Sequence, residues 1–139
     1  MIGGPAADLC SDVVLRVSEV PHDWLFPRVA AVVHDGGAGT SAAVLRAGKP
    51  SVVVPFFADQ PFWASRIRAL GAGPPPIPCT RLTEERLATA LRAATEHIGL
   101  QQRAAQVGAG IRREDGVGAA CQTVECWLVK ASRWGTGPP

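Results

Sequence analysis

Residues 30 to 40 read AAVVHDGGAGT, and residues 41 to 48 continue SAAVLRAG. An apolar run that stops at a histidine, then closely spaced glycines, then an Ala/Leu-rich stretch predicts a buried strand, a tight turn and a helix. Close backbone approach alone explains the glycines. An anion seated on the first amides of the helix explains them equally, because those N–H groups have no partner inside the helix. The rest of the chain has to decide.

Downstream, Gly48 with Lys49 and Pro50 beyond it ends the helix, and SVVVP at 51 to 55 reads as the next strand. FFADQPFWASRIRALGAG then places Asp59 before a helix that carries Pro61 in its first turn, where a missing N–H costs little. PPPIPCTRL is extended. Thr83 caps a helix whose first turn holds Glu84 and Glu85, at the positive end of the helix dipole. Leu87, Ala90, Leu91, Ala94 and Ile98 are predicted on one face of it. Further helices are predicted at roughly 99–113 and 116–131. Upstream, VVLRVS at 13 to 18 reads as another strand, and VPHDWLFP as a loop or short helical turn broken by prolines. Residues 1–11 read as a flexible N-terminus and 132–139 as a disordered tail, which leaves one domain over 12–131.

Short apolar strands alternating with helices predict the α/β class, a Rossmann-like parallel sheet with helices on both faces. Ligands on such sheets bind beyond the carboxyl ends of the strands. VPHDW, HDGGAGT and PFFADQ all fall there and are predicted to converge.

Of the 139 residues 47% are hydrophobic and 19% charged, a balance that suits a buried core and argues against a disordered chain. The net charge of +2 comes from scattered Lys and Arg. No basic stripe interleaved with aromatics points to nucleic acid. The four cysteines show no CxxC and no histidine at metal-ligand spacing, so neither zinc nor a disulfide framework is indicated and a reduced, cytoplasmic setting is expected. No secretory leader and no long uncharged apolar run is visible.

For a phosphate, His34 offers a ring donor, the amides of Gly36, Gly37, Ala38, Gly39 and Thr40 offer the helix terminus, and Thr40 adds a hydroxyl. Hydrogen bonds to a charged oxygen contribute about 1.5–3 kcal/mol each, enough in combination for micromolar to millimolar binding. A rival is a dinucleotide fold, since Gly37 to Ala42 matches GxGxxA after a strand. Its acid belongs at the end of the next strand, whereas here Pro55-Phe-Phe-Ala intervenes before Asp59. The Asp59-Gln60 pair suits a sugar, the carboxylate accepting from vicinal hydroxyls and the amide both donating and accepting. Helix capping by Asp59 is the alternative that spacing alone favours.

In that order and spacing, VPHDWLFP, AAVVHDGGAGTSAAVLRAGKP and VVVPFFADQPFWASRIRALGAGPPPIP resemble the C-terminal, donor-binding half of UDP-dependent glycosyltransferases (GT-B fold, glycosyltransferase family 1). The likeness is above all to the sterol 3-beta-glucosyltransferase branch, and extends to antibiotic and plant secondary-product enzymes. It implies that His34 and the amides of Gly36 to Thr40 hold the diphosphate and that Asp59 and Gln60 hold the sugar. Val20, His22 and Trp24 would lie against the uridine. It implies UDP-glucose or a related UDP-sugar as donor substrate, no metal, no other cofactor, and inverting transfer of a hexose to a sterol or lipid hydroxyl.

Two departures from the family pattern stand out. The usual His-His-Gly-Gly is His-Asp-Gly-Gly here; at about 6 Å and an effective dielectric near 20, the Asp35 carboxylate repels one phosphate charge by roughly 2–3 kcal/mol. Family members also carry an N-terminal acceptor-binding domain with a general-base histidine, and no such base is visible; His22 and His97 are assigned no catalytic role. The resemblance thus implies a chain inactive alone that works with an acceptor-binding domain or subunit. Alternatives are the donor subunit of a split transferase, peripheral at a membrane through its partner, and a truncated non-catalytic UDP-sugar- or partner-binding protein.

Overall fold

The computed structural model describes Val17 and residues 19–134, with side chains as far as residue 130. The strand expected over 13–18 and the flexible segment expected over 1–11 lie outside the described residues, Val17 excepted. The elements run α1 (His22–Leu25), a 3-10 turn (Phe26–Arg28), β1 (Val32–His34), α2 (Ala38–Ala47), β2 (Ser51–Val53) and α3 (Gln60–Ala69). A second 3-10 turn (Cys79–Arg81), α4 (Glu84–Glu96), α5 (Ile98–Arg113) and α6 (Gly116–Trp134) complete the order.

β1 and β2 pair in parallel, Val32 opposite Ser51, Val33 opposite Val52 and His34 opposite Val53. That register puts His34 level with the last residue of β2. Successive β2 side chains point to opposite faces, and each face has its own apolar cluster. Val53 packs with Ala64 and Ile67 of α3, Ala72 and Ala104 of α5; Val52 packs with Ile77 and with Ala90 and Ala94 of α4. Helices therefore cover both faces of β2, whereas β1, expected as a buried strand, is only half-buried and leaves Val33 45% exposed, because nothing among the described residues packs over it.

The extended segment after α3 runs beside β2, with Ile77 N–H donating to Val53 O at 2.9 Å and Cys79 N–H to Pro55 O at 3.1 Å. Its prolines cannot donate, which limits how much ladder it can form. α5 crosses α2 at a glycine contact: a Cβ on Gly108 would lie 2.6 Å from Gly48 Cα, so only glycine allows this approach.

Thr83 caps α4, its hydroxyl accepting from Arg86 N–H at 3.3 Å. The Glu85 carboxyl is held below its ordinary pKa by its own backbone N–H and the Thr83 hydroxyl. Ile98 departs from the expected face. α4 stops at Glu96, His97 takes an extended conformation (φ −80°, ψ 100°), and Ile98 opens α5 with 66% of its surface exposed. α6 continues to Trp134, so that 132–134, expected in the disordered tail, are helical, and the rest of that tail lies outside the described residues. Cys79, Cys121 and Cys126 are free thiols, and among the described residues no helix is long and apolar enough to cross a membrane.

Candidate functional site

His34 closes β1, and its main-chain carbonyl accepts from Val54 N–H at 2.9 Å. Its Nδ1 accepts from Gly36 N–H at 3.1 Å. A neutral imidazole that accepts at one nitrogen carries its proton on the other, so this hydrogen bond assigns the proton to Nε2. That atom is buried and has no hydrogen-bond partner. Burial holds the His34 pKa below the ordinary 6.5, with the Asp35 carboxylate opposing the shift. The strand end thus presents a neutral ring with an unanswered N–H donor.

The turn is drawn tightly against the sheet. Gly36 sits at φ +92°, and a Cβ there would lie 2.8 Å from Val53 Cγ1 and 3.1 Å from Gln60 O. Gly37 is the N-cap of α2 but supplies no side-chain cap, and its N–H is taken by Asp35 Oδ1 at 3.0 Å. The amides of Gly36 and Gly37, expected on a diphosphate, are therefore engaged within the turn by the side chains of His34 and Asp35. Those of Ala38, Gly39 and Thr40 carry no hydrogen bond among the described residues, and neither does the Thr40 hydroxyl. The open cradle is narrower than the motif suggests and lies one step further into the helix.

Asp35 also explains itself. Its Oδ2 accepts from Gln60 Nε2 at 2.7 Å, which joins the glycine turn to the loop after β2. Gln60 is 8% exposed, and its Oε1 accepts from Phe56 N–H at 2.8 Å and Phe57 N–H at 3.1 Å. Two backbone donors in a tight loop need an acceptor, and the glutamine carbonyl supplies it. Gln60, expected on sugar hydroxyls, is instead buried and keeps a single amide hydrogen unused.

Asp59 occupies the N-cap position of α3, yet its side chain makes no capping bond. Its Oδ2 accepts from the Trp63 indole N–H at 2.8 Å. This corrects the capping alternative and leaves Oδ1 of an exposed carboxylate without a partner among the described residues. Ala58, just before it, holds a left-handed conformation at φ 55°.

The third predicted segment packs on the side of α2. His22 stacks on Phe26 with ring centroids 4.5 Å apart, and the Arg28 guanidinium covers the Trp24 ring at 4.5 Å. Val20 is half-buried, and α1 packs against α2, where Asp23 shares a recess with Ala43, Arg46 and Ala47. No hydrogen bond among the described residues links Val20, His22 or Trp24 to the other two loops. Residues the motifs did not single out are Asp35 as a bridge and Trp63 as a donor. A helical i, i+4 spacing from Asp59 was the one signal that could have found the latter.

The parallel sheet thus carries a histidine and an open helix terminus at the end of one strand, and a carboxylate with one unpartnered oxygen beyond the next. Solved glycosyltransferases share this fold. Glycosyltransferase VinC in complex with dTDP is 32% identical at a TM-score of 0.69, over 74% of this chain and 26% of VinC. The glycosyltransferase of kitacinnamycin is 26% identical at a TM-score of 0.71, over 77% of this chain and 28% of that one. The fold is that of the C-terminal half of GT-B glycosyltransferases.

A family model described as the erythromycin biosynthesis protein CIII-like C-terminal domain matches residues 5–120, and the chain belongs to that family. The O-mycaminosyltylonolide 6-deoxyallosyltransferase of Streptomyces fradiae is 45% identical over 127 residues, 91% of this chain and 30% of the enzyme. A sterol 3-beta-glucosyltransferase of Arabidopsis thaliana is 46% identical over 109 residues, 78% of this chain and 17% of the enzyme. The chain thus spans less than a third of the length of these relatives.

Proposed function

We propose that this domain binds a UDP-sugar, UDP-glucose in the first instance, and serves inverting transfer of its hexose to a sterol or lipid hydroxyl held by an acceptor-binding domain or subunit. The diphosphate lies at the N-terminus of α2, on the amides of Ala38, Gly39 and Thr40, with Nε2 of His34 and the Thr40 hydroxyl as further donors. The observation that carries this is the set of unanswered amides at the N-terminus of α2, with a histidine whose Nε2 also lacks a partner at the end of the strand before it. Such donors are aimed where negative charge grows as the sugar leaves, and in a closed site they favour the transition state over the bound donor. Oδ1 of Asp59 takes a sugar hydroxyl. Val20, His22 and Trp24 border the uridine.

Exposed apolar side chains beside the Asp59 loop, Phe56 at 59%, Phe57 at 71% and Phe62 at 58%, support a partner surface. This reading sets the reaction in the cytoplasm, at a membrane surface when the acceptor is a lipid, with no cofactor beside the donor substrate. The VinC complex with dTDP favours a second reading, in which the donor carries thymidine rather than uridine.

Calorimetric titration at low salt with UDP-glucose, UDP, dTDP and NAD tests both. Binding of UDP-glucose that weakens at least tenfold in His34→Ala and Asp59→Ala is expected, with no NAD binding. Preference for dTDP would move the assignment to a thymidine donor. Binding of neither nucleotide would sink both readings. Transfer by the domain without a partner is expected to be negligible, and robust glucosylation by it alone would contradict the division of labour.

A further inference from the structure

We propose that Trp63 is a positioning residue for the donor sugar, acting through Asp59; this rests on the reading that Asp59 binds the sugar. The Asp59 carboxylate is exposed and caps nothing, so on its own it would rotate freely about its side-chain bonds. The Trp63 indole N–H, one turn along α3, donates to Oδ2 at 2.8 Å and removes that freedom. The indole is itself held: it is half-buried and meets Phe62 edge-on, with centroids 5.1 Å apart and an interplanar angle of 79°. An aromatic ring fixed by packing is a more rigid donor than a lysine or glutamine would be, because fewer bonds are left to rotate.

The consequence is a carboxylate with two unlike oxygens. Oδ2 faces the indole, and Oδ1 is presented in one direction as a hydroxyl acceptor. Gln60 cannot take over this task, since its carbonyl is bound to Phe56 and Phe57 N–H and its amide to Asp35. Acceptance of a sugar hydroxyl at this loop therefore depends on one oriented oxygen, and the orientation comes from Trp63. Its contribution belongs to the sugar and not to the nucleotide.

The test compares affinities for UDP-glucose and UDP in the wild type, Trp63→Phe, Trp63→His and Asp59→Ala, with melting temperatures alongside. Trp63→Phe keeps an aromatic ring against Phe62 and removes only the N–H. UDP binding is expected to stay within about twofold of wild type, while the UDP-glucose to UDP affinity ratio falls about three- to tenfold. Trp63→His retains a ring donor and is expected to keep the ratio closer to wild type. A lowered ratio in Asp59→Ala with an unchanged ratio in Trp63→Phe would overturn the inference alone. An unchanged ratio in Asp59→Ala would remove the sugar-binding reading beneath it as well. Equal loss of both ligands in Trp63→Phe, with a lower melting temperature, would show a purely structural residue and overturn it too.

Discussion

The N-termini of α2 and α3 both follow the carboxyl end of a parallel strand, α2 after a tight glycine turn and α3 after a longer loop, and they end up chemically opposite. At α2 the N-cap is Gly37, no side chain caps the helix, and the amides of Ala38, Gly39 and Thr40 are open. At α3 the donors from Gln60 onward are used up: Gln60 N–H bonds Phe57 O at 3.3 Å, Phe62 and Trp63 N–H bond Asp59 O at 3.0 and 3.2 Å, and Pro61 has none to offer. What α3 presents instead is the carboxylate of Asp59. One terminus is a donor surface suited to an anion, the other an acceptor suited to hydroxyls, and a nucleotide-sugar needs one of each.

The contrast can be broken at its base by Gly36→Val. The new side chain meets Val53 at a position 2.8 Å away and a backbone at φ +92°. Strain and overpacking together are expected to cost about 2–4 kcal/mol of stability, measured by urea unfolding, with loss of UDP binding. A smaller and sharper change is Ala38→Pro, which makes α2 resemble α3. Gly37 already holds φ −57° and ψ 143°, the extended conformation that a following proline demands. Stability is expected to change by no more than about 0.5 kcal/mol, while removal of one open amide weakens UDP binding by about tenfold or more. Unaltered UDP affinity in a folded Ala38→Pro protein would take the anion away from this helix.

On the acceptor side, Ala58 at φ 55° carries strain that glycine would not. Ala58→Gly is expected to raise stability by up to about 1 kcal/mol, visible as a higher urea midpoint, the gain being trimmed by the freer unfolded chain. UDP affinity should be unchanged, because this loop contributes no amide to the diphosphate. The weakest expected effect is one of pH. The folded His34 titrates below 6.5, so the unfolded chain takes up its proton first. Its neutral form therefore supports the fold fully above about pH 6.5, and that support is lost as pH falls from there through the folded pKa. Unfolding titrations across this window should show a stability slope that His34→Ala flattens.

Much of this was legible in the chain itself. The β-branched runs ending at His34 and Val54, the glycine turn, Pro61 in a first helical turn and Thr83 before two glutamates state their local structure, because strand periodicity, turn chemistry and capping act over a few residues. His34, Thr40 and Asp59 were readable as site candidates for the same reason. Ile98 was misplaced because helical periodicity carries on past a break that only the His97 backbone reveals. The roles of Asp35 and Gln60 could not be read at all. Their hydrogen bond spans 25 positions and exists only because the parallel register sets His34 beside Val53 and so brings the two loops together.

The sequence by itself therefore determined the α/β class, the order of elements, the family resemblance and the kinds of chemical group at each strand end, all of which rest on local spacing. The tertiary structure alone decided which of those groups remain available. Gly36, Gly37 and Gln60 are engaged by neighbours, whereas Ala38, Gly39, Thr40, the buried His34 Nε2 and one oxygen of Asp59 are left without a partner among the described residues. The physical reason is that a polar group in a folded protein satisfies itself first with whatever packing brings within reach, and only the remainder can bind a ligand.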